Sequence, residues 1–437
     1  MGRGGVERAR SALSMVGRLA NEVVSVLVFM LLDVLDVLLC FGYKLVDYAM
    51  EAEWKPCYCS SSAKEIVTNA GKILVSESGG SKVVSLSSTK LQLEDISDTL
   101  YSRPSLVSEF SRSTINELRR VKITSASPAT TTTTYTINST IIQMLQGKIG
   151  GHKSPRWSDC DCTNCNPSTS QNTLFVRVEQ PNDGGAAEED VLFIHGFISS
   201  SAFWTETVFP NFSKSAKQKY RMFAVDLLGF GRSPKPADSL YTLREHVEMI
   251  EHSVLKPHKP YFPVPKGEQG TQYVLRRVAP RRVWPMIAFG ASVGCWYEHI
   301  GRTVSLVLCK NHRLWEIAFK LITFNRIRTY LMDGFFCHTH NAAWHTLHNI
   351  ICGSAGKIDC YLDVVRDQLR CEVTVYHGRN DELLPIHCSY ALKSKIPRAK
   401  VKIIDHKDHI TIVVGRQKAF ARELEEIWKS TKHRCCT

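Results

Sequence analysis

A chain of 437 residues, 43% of them hydrophobic, is long enough for one large domain or two ordinary ones and has the composition of a globular protein. Its formal charge of +13 raises nucleic acid as a partner, yet no zinc-finger spacing, basic helix or basic–aromatic repeat accompanies it. That excludes the usual nucleic-acid binders and leaves an anionic membrane or wall surface, or plain solubility, as what the charge serves.

The chain opens with Arg3, Arg8, Arg10 and Arg18 ahead of an apolar run from about Val23 to Val46. This is the layout of a membrane-associated or signal-anchor segment, assigned to residues 1–55, with a buried soluble helix as the alternative. Asp33 and Asp36 stand near the middle of the run, where a carboxylate costs roughly 2.5–3.5 kcal/mol on insertion scales. Residues 56–170 are poorly patterned, with serine and threonine tracts at 60–62 and 130–134. Asn138 and Asn211 begin glycosylation triplets, which matter only on a secretory route.

Fifteen cysteines are scattered rather than set out as a compact disulfide framework. Cys57 and Cys59 form one close pair, and Cys160, Cys162 and Cys165 a close triplet. Three thiols lack the fourth ligand of a structural zinc unless Cys57 or Cys59 supplies it, so a disulfide, palmitoylation or unpaired thiols are expected before metal.

From Thr173 short strands alternate with helix-compatible stretches, the pattern of a parallel sheet wrapped by helices, over a domain of 171–430. Residues 173–178 alternate as a first strand. Val191-Leu192-Phe193-Ile194 reads as a buried strand stopping at His195-Gly196, and Met222 to Val225 as the next. Asp226 leads from it into a turn-rich loop with Gly229 and Gly231, at the strand edge where open α/β sheets bind their ligands. A helix follows from Tyr241 to about Leu255. Strands over 371–376 and 401–404 and a closing helix over about 417–429 complete the reading.

The pair His195-Gly196-Phe197 and Asp226-Leu227-Leu228-Gly229-Phe230-Gly231-Arg232-Ser233 resembles the α/β-hydrolase fold. The wider chain resembles the plant BODYGUARD family of lysophospholipase-like or esterase-like hydrolases associated with the cuticle. The resemblance implies a helical cap at about 261–365, a lipid or acyl-ester substrate, a secretory or cell-wall location and no cofactor. It also implies a triad in the chain order serine, acid, histidine. His377-Gly378-Arg379-Asn380-Asp381 resembles the acid loop, with Asp381 the match and Glu382 its competitor. Asp405-His406-Lys407-Asp408-His409 resembles the histidine loop, with His409 the match and His406 its competitor. One oxyanion donor is the Phe197 N–H, and the other belongs to the residue after the nucleophile.

The nucleophile is the open point. The family's elbow, a G-x-S-x-G between strand and helix, belongs after the helix ending near Leu255. Here residues 256–260 pass straight into sequence resembling the start of the cap, so a block is expected to be missing between about Lys259 and Pro260. A later Gly290-Ala291-Ser292-Val293-Gly294 offers Ser292 as nucleophile and Val293 N–H as oxyanion donor, with strands over 283–289 and 304–308 around a helix from Cys295 to Arg302. Pro285 would interrupt such a strand, and Trp296 and Tyr297 are bulky for an elbow helix. A missing block would take the centre out of the sheet and expose two apolar strand edges. The cap histidines His338, His340, His345 and His348 read as part of a helix over an acyl pocket lined by Phe335, Phe336, Trp344 and Leu347 rather than as metal ligands. Two functions remain: a serine acyl-ester hydrolase, whose nucleophile in this form is Ser292 or is lost with the missing block, or a non-catalytic hydrolase-like protein that binds lipid or a partner through its cap.

Overall fold

The structure is a computed structural model that describes residues 3–51, 72–77, 80–85, 157–160, 173–181, 187–236, 239, 241–258, 281, 283–326, 329–336, 338–352, 358–369 and 371–435. Cys57, Cys59, Cys162, Cys165, Asn138, the threonine tract and the expected break at Lys259 and Pro260 lie outside the described residues.

The chain begins with α1 (Arg3–Glu51) and a hairpin of β1 (Lys72–Glu77) and β2 (Gly80–Ser85). Then come β3 (Val176–Glu179), β4 (Glu189–Ile194), α2 (Ala202–Thr207), α3 (Lys214–Lys219) and β5 (Tyr220–Val225). The helical stretch that follows is α4 (Leu243–Ile250), α5 (Met286–Trp296), α6 (Glu298–Lys310), α7 (His312–Ile322), α8 (Thr329–Phe336), α9 (His340–Thr346) and α10 (Ile358–Asp367). The chain closes with β6 (Thr374–Gly378), α11 (His387–Lys395), β7 (Lys400–Ile404) and α12 (Gln417–Cys435).

Two compact units result. The first comprises Met1–Leu86, Asp98–Ile142 and Leu275–Gly301, and the second Ser87–Ser97, Gln143–Val274 and Arg302–Thr437. The division passes through the segment expected to form the cap.

In the first unit, Ser25, Phe29, Asp33, Asp36, Cys40, Tyr43 and Asp47 recur at spacings of three and four, so they share one stripe of α1. That stripe packs on residues 281–300. Phe29 stacks on Tyr297 and meets Phe289 edge-on, with ring centroids 6.0 Å apart in each pair. Asp36 Oδ1 accepts the His299 and Ile300 amides at 2.9 Å each, where α6 begins and unpaired N–H groups favour an anion. Asp33 faces Arg281 at 3.8 Å, and the Tyr297 hydroxyl donates to Phe29 O at 3.0 Å. The two carboxylates in the apolar run therefore point at protein partners. The other faces of α1 expose Val23, Val26, Leu27, Leu31, Val34 and Leu38.

In the second unit the sheet lies in two pieces. β3, β5 and β4 form one piece in that order, with β3 antiparallel to β5 and β4 parallel to it, Val191 opposite Met222 and Ile194 opposite Val225. β6 and β7 form a separate parallel pair running from Thr374 opposite Lys400 to Gly378 opposite Ile404. Thus β4 and β6 each have a single strand partner among the described residues, and Ile194 is 46% exposed. One core still joins the pieces: Phe193, Phe209, Phe212 and Met222 cluster with Val413, Phe420 and the flanking Tyr376 and Trp428. Glu425 of α12 accepts both the amide and the hydroxyl of Ser213, at 2.7 and 2.8 Å, while that hydroxyl caps α3 by accepting the Ala216 amide. The Asn211 side-chain Nδ2 of the glycosylation triplet donates to Thr207 O.

The segment read as strand, helix and strand over 283–308 is corrected: it folds as α5 and α6, two helices in succession. Pro285 explains where α5 starts. It serves as N-cap with an extended backbone, which suits a residue lacking the N–H a central strand would need.

Candidate active site

The acid and histidine loops meet. β6 and β7 are adjacent and parallel, so the loops leaving their C-terminal ends emerge side by side. A Cβ on Gly378 would lie 2.7 Å from Asp408 O, so only glycine lets the 405–409 loop settle against the end of β6. A glycine closing an apolar strand is the sequence signal for such a contact. His409 Nδ1 then lies 2.9 Å from Asp381 Oδ2. The other oxygen, Oδ1, accepts the Leu383 and Leu384 amides at 2.9 and 2.8 Å, so the carboxylate is aimed as well as ionised.

Burial pushes the Asp381 carboxyl up, but the hydrogen bonds from His409 and from the Leu384 and Leu383 amides outweigh it, and the group ends below the ordinary 3.8. His409 is raised above 6.5, chiefly by its hydrogen bond to Asp381, against burial. With Nδ1–H committed to the carboxylate, Nε2 is the nitrogen left to act as a base. The competitors stand elsewhere: Glu382 is exposed, and His406 occupies the turn with φ +58°. Among the described residues no hydroxyl is hydrogen-bonded to His409.

The two glycine-bearing motifs are tied to each other. His195 donates from Nδ1 to Gly196 O at 2.7 Å and accepts the Leu227 amide on Nε2 at 3.0 Å, which ties the exit of β4 to the exit of β5. Burial lowers its pKa, so it stays neutral in this role. Asp226 accepts the Ser201 amide at 2.5 Å and the Arg232 amide at 2.8 Å. Gly231, at φ +52°, leaves room for that carboxylate, and a Cβ on Gly229, at φ +88°, would lie 2.7 Å from Ala342 of α9. Phe197 follows this scaffold in the turn, next to Ile198 at the unusual φ of +51°, and its amide has no acceptor among the described residues. Gly334 of α8 packs on the same loop, its would-be Cβ 3.2 Å from Ser199 Cα.

Ser292 and Val293 are placed differently. Both sit inside α5, in the first unit, where Ser292 is fully buried and its Oγ donates to Ala288 O at 2.7 Å. An elbow needs a strand, a sharp turn and a hydroxyl presented at the turn. A helix interior also commits the Val293 amide to the backbone ladder, so it is no oxyanion donor there.

The histidines of the segment expected to form the cap take part in packing: His345 stacks on Tyr241 and His340 on Trp344, while burial lowers His348 to about 3 and His338 to about 4. Trp344 also lies under the Arg302 guanidinium at 4.8 Å. Cys160 and Cys309 are buried together, and Cys160 Sγ lies 3.6 Å from His312 Nδ1.

Comparison with known proteins agrees with this scaffold. A family model for the α/β hydrolase fold matches residues 191–260. The chain is 51% identical to probable lysophospholipase BODYGUARD 3 of Arabidopsis thaliana, over 98% of this chain and 99% of that protein. To probable lysophospholipase BODYGUARD 1 of the same plant it is 54% identical, over 94% and 97%. The first alignment spans 496 positions against the 437 residues here, so at least 59 positions of that relative have no counterpart in this chain. With such identity along nearly the whole of both chains, on an α/β-hydrolase scaffold, this chain belongs to the BODYGUARD family.

Proposed function

We infer that the chain carries the acid–base half of a serine acyl-ester hydrolase of lysophospholipase type, and that its 437-residue form stands without the nucleophile elbow. The observation that carries this reading is the 2.9 Å bond between His409 and Asp381 on adjacent loops, with no hydroxyl on His409 among the described residues. In the complete reaction a serine attacks the ester carbonyl while His409 takes its proton and returns it to the leaving alcohol. Asp381 holds the histidine tautomer and stabilises the imidazolium, and the Phe197 amide serves the oxyanion. The two separated sheet pieces support an elbow strand missing from between β4 and β6. So does the family-model match, which stops at residue 260, where the sequence resumes in the cap.

What this form retains is lipid binding. The span Met15–Glu51 of α1 is long and apolar enough to cross a membrane and tethers the chain there on a secretory route. The family's place at the plant cuticle and cell wall fits an acyl substrate presented at a membrane.

The test is fluorophosphonate labelling of the purified full chain, with folding followed by thermal denaturation and labelled peptides identified by mass spectrometry. A folded protein that takes no label is expected. Label on Ser292 would sink the missing-elbow reading.

A further inference from the structure

Helix α7 is turned inside out relative to an ordinary surface helix. Its inner face is anchored: His312 is buried, Phe319 meets Phe336 of α8 at 5.8 Å, and the Trp315 indole donates to Val307 O of α6 at 3.2 Å. Its outer face should be polar. Instead Leu314, Ile317 and Leu321 recur at i, i+3 and i+7, joined by Ile322 and by Phe324 in the following turn, each between 57% and 82% exposed. Scattered apolar residues on a surface are ordinary, but a continuous stripe along a helix marks a docking face.

The charges beside the stripe select the partner. Lys310, Arg313 and Arg326 are exposed around it, whereas the single carboxylate between residues 302 and 326, Glu316, is paired with Lys320. Around the helix axis Arg313 and Lys320 fall along one edge of the stripe, so apolar and cationic surfaces run in parallel. Two copies of this face brought together would set these cations against each other. A bilayer with anionic headgroups satisfies both features, taking the apolar stripe below the headgroups and the cations among them.

We propose that the outer face of α7, with the turn to Arg326, is a docking surface for an anionic lipid bilayer. It is separate from α1, and it brings the cap side of the hydrolase unit onto the membrane. The proposal does not depend on a working nucleophile.

The test places a photoreactive p-benzoylphenylalanine at Leu321 in the full chain, reconstituted into vesicles of phosphatidylcholine with or without phosphatidylglycerol. The same label at Tyr390, 51% exposed on α11, serves as control for a residue off the stripe. Irradiation is expected to yield phospholipid adducts at Leu321, more of them with phosphatidylglycerol, and few at Tyr390. Neutralising one cation, Arg313→Gln, should lower the adduct roughly fivefold, the effect of about one cation at an anionic surface. Adducts to a second copy of the chain, equal lipid adducts at both sites, or none at Leu321 would each overturn the proposal. Because both labelled proteins carry α1, tethering by that helix cannot mimic the expected difference.

Discussion

His409 donates from Nδ1 to Asp381 Oδ2 across 2.9 Å, although 28 residues and the strand β7 separate them in the chain. The bond raises the histidine above 6.5 and helps hold the carboxyl below 3.8. NMR titration of isotope-labelled histidine should therefore find His409 above 6.5, and Asp381→Asn should bring it down. The sign for stability follows by linkage. Asp381, depressed, contributes above its ordinary value and loses that contribution as pH falls through its folded pKa. His409, raised, contributes below 6.5 and loses it as pH rises through its folded pKa. The stabilisation is thus complete between about 3.8 and 6.5 and declines on both sides. Because the His409 side chain is 43% exposed, the effect on melting temperature should be small.

Restoring the positions that BODYGUARD 3 has and this chain lacks, inserted between Lys259 and Pro260, should create fluorophosphonate labelling on the inserted serine and none on Ser292. In that restored protein His409→Ala should cut ester turnover by on the order of 10⁴–10⁶-fold. Turnover that survives His409→Ala would remove His409 from the role of base.

Asp36→Ala should loosen α1 from residues 281–300. The carboxylate is the acceptor for two amides at the start of α6, and leaving them unpaired costs about 1–3 kcal/mol. Asp33→Ala, which takes away a 3.8 Å pair with Arg281 and a carboxylate beside the Tyr297 hydroxyl but leaves no amide unpaired, should cost about 0–1 kcal/mol. Thermal denaturation of the full chain in detergent ranks the two, and equal effects would contradict the packing described.

Gly378→Ala should destabilise by about 1–3 kcal/mol, because its Cβ would press on the backbone carbonyls of Lys407 and Asp408, which cannot rotate away. The same change should move His409 off Asp381 and lower its pKa toward 6.5. A stable variant with an unchanged His409 titration would count against the tight loop contact.

The edge of β4 that has no strand partner among the described residues should promote association. Ile194→Lys places a charge at an exposed position on that edge and should reduce aggregation, measured by light scattering on heating, while changing stability by less than about 0.5 kcal/mol.

Much of this was legible before any coordinates. Strands ending in His195-Gly196 and Asp226, the acid and histidine loops and the closing helix are local patterns: apolar runs of strand length that stop at glycine or a charged turn. Other features were not legible, since they depend on which surfaces meet. A G-x-S-x-G reads the same in an elbow and in a helix, and only the packing of 283–300 on α1 assigned Ser292 to a helix interior. Asp33 and Asp36 are costly in an apolar run taken alone, and their partners, Arg281 and the start of α6, lie far along the chain.

The sequence by itself determined the family, the strands β3 to β7 and the residues able to serve as acid and base, because side-chain chemistry and hydrophobic period are properties of short stretches. Tertiary structure alone decided that Asp381 and His409 bond, that Ser292 does not sit on a turn, that the sheet lies in two pieces and that the apolar stripe of α7 faces outward. Those are relations between segments far apart in the chain. They are set by which strand finds a partner and which face finds a core, and no local window contains them.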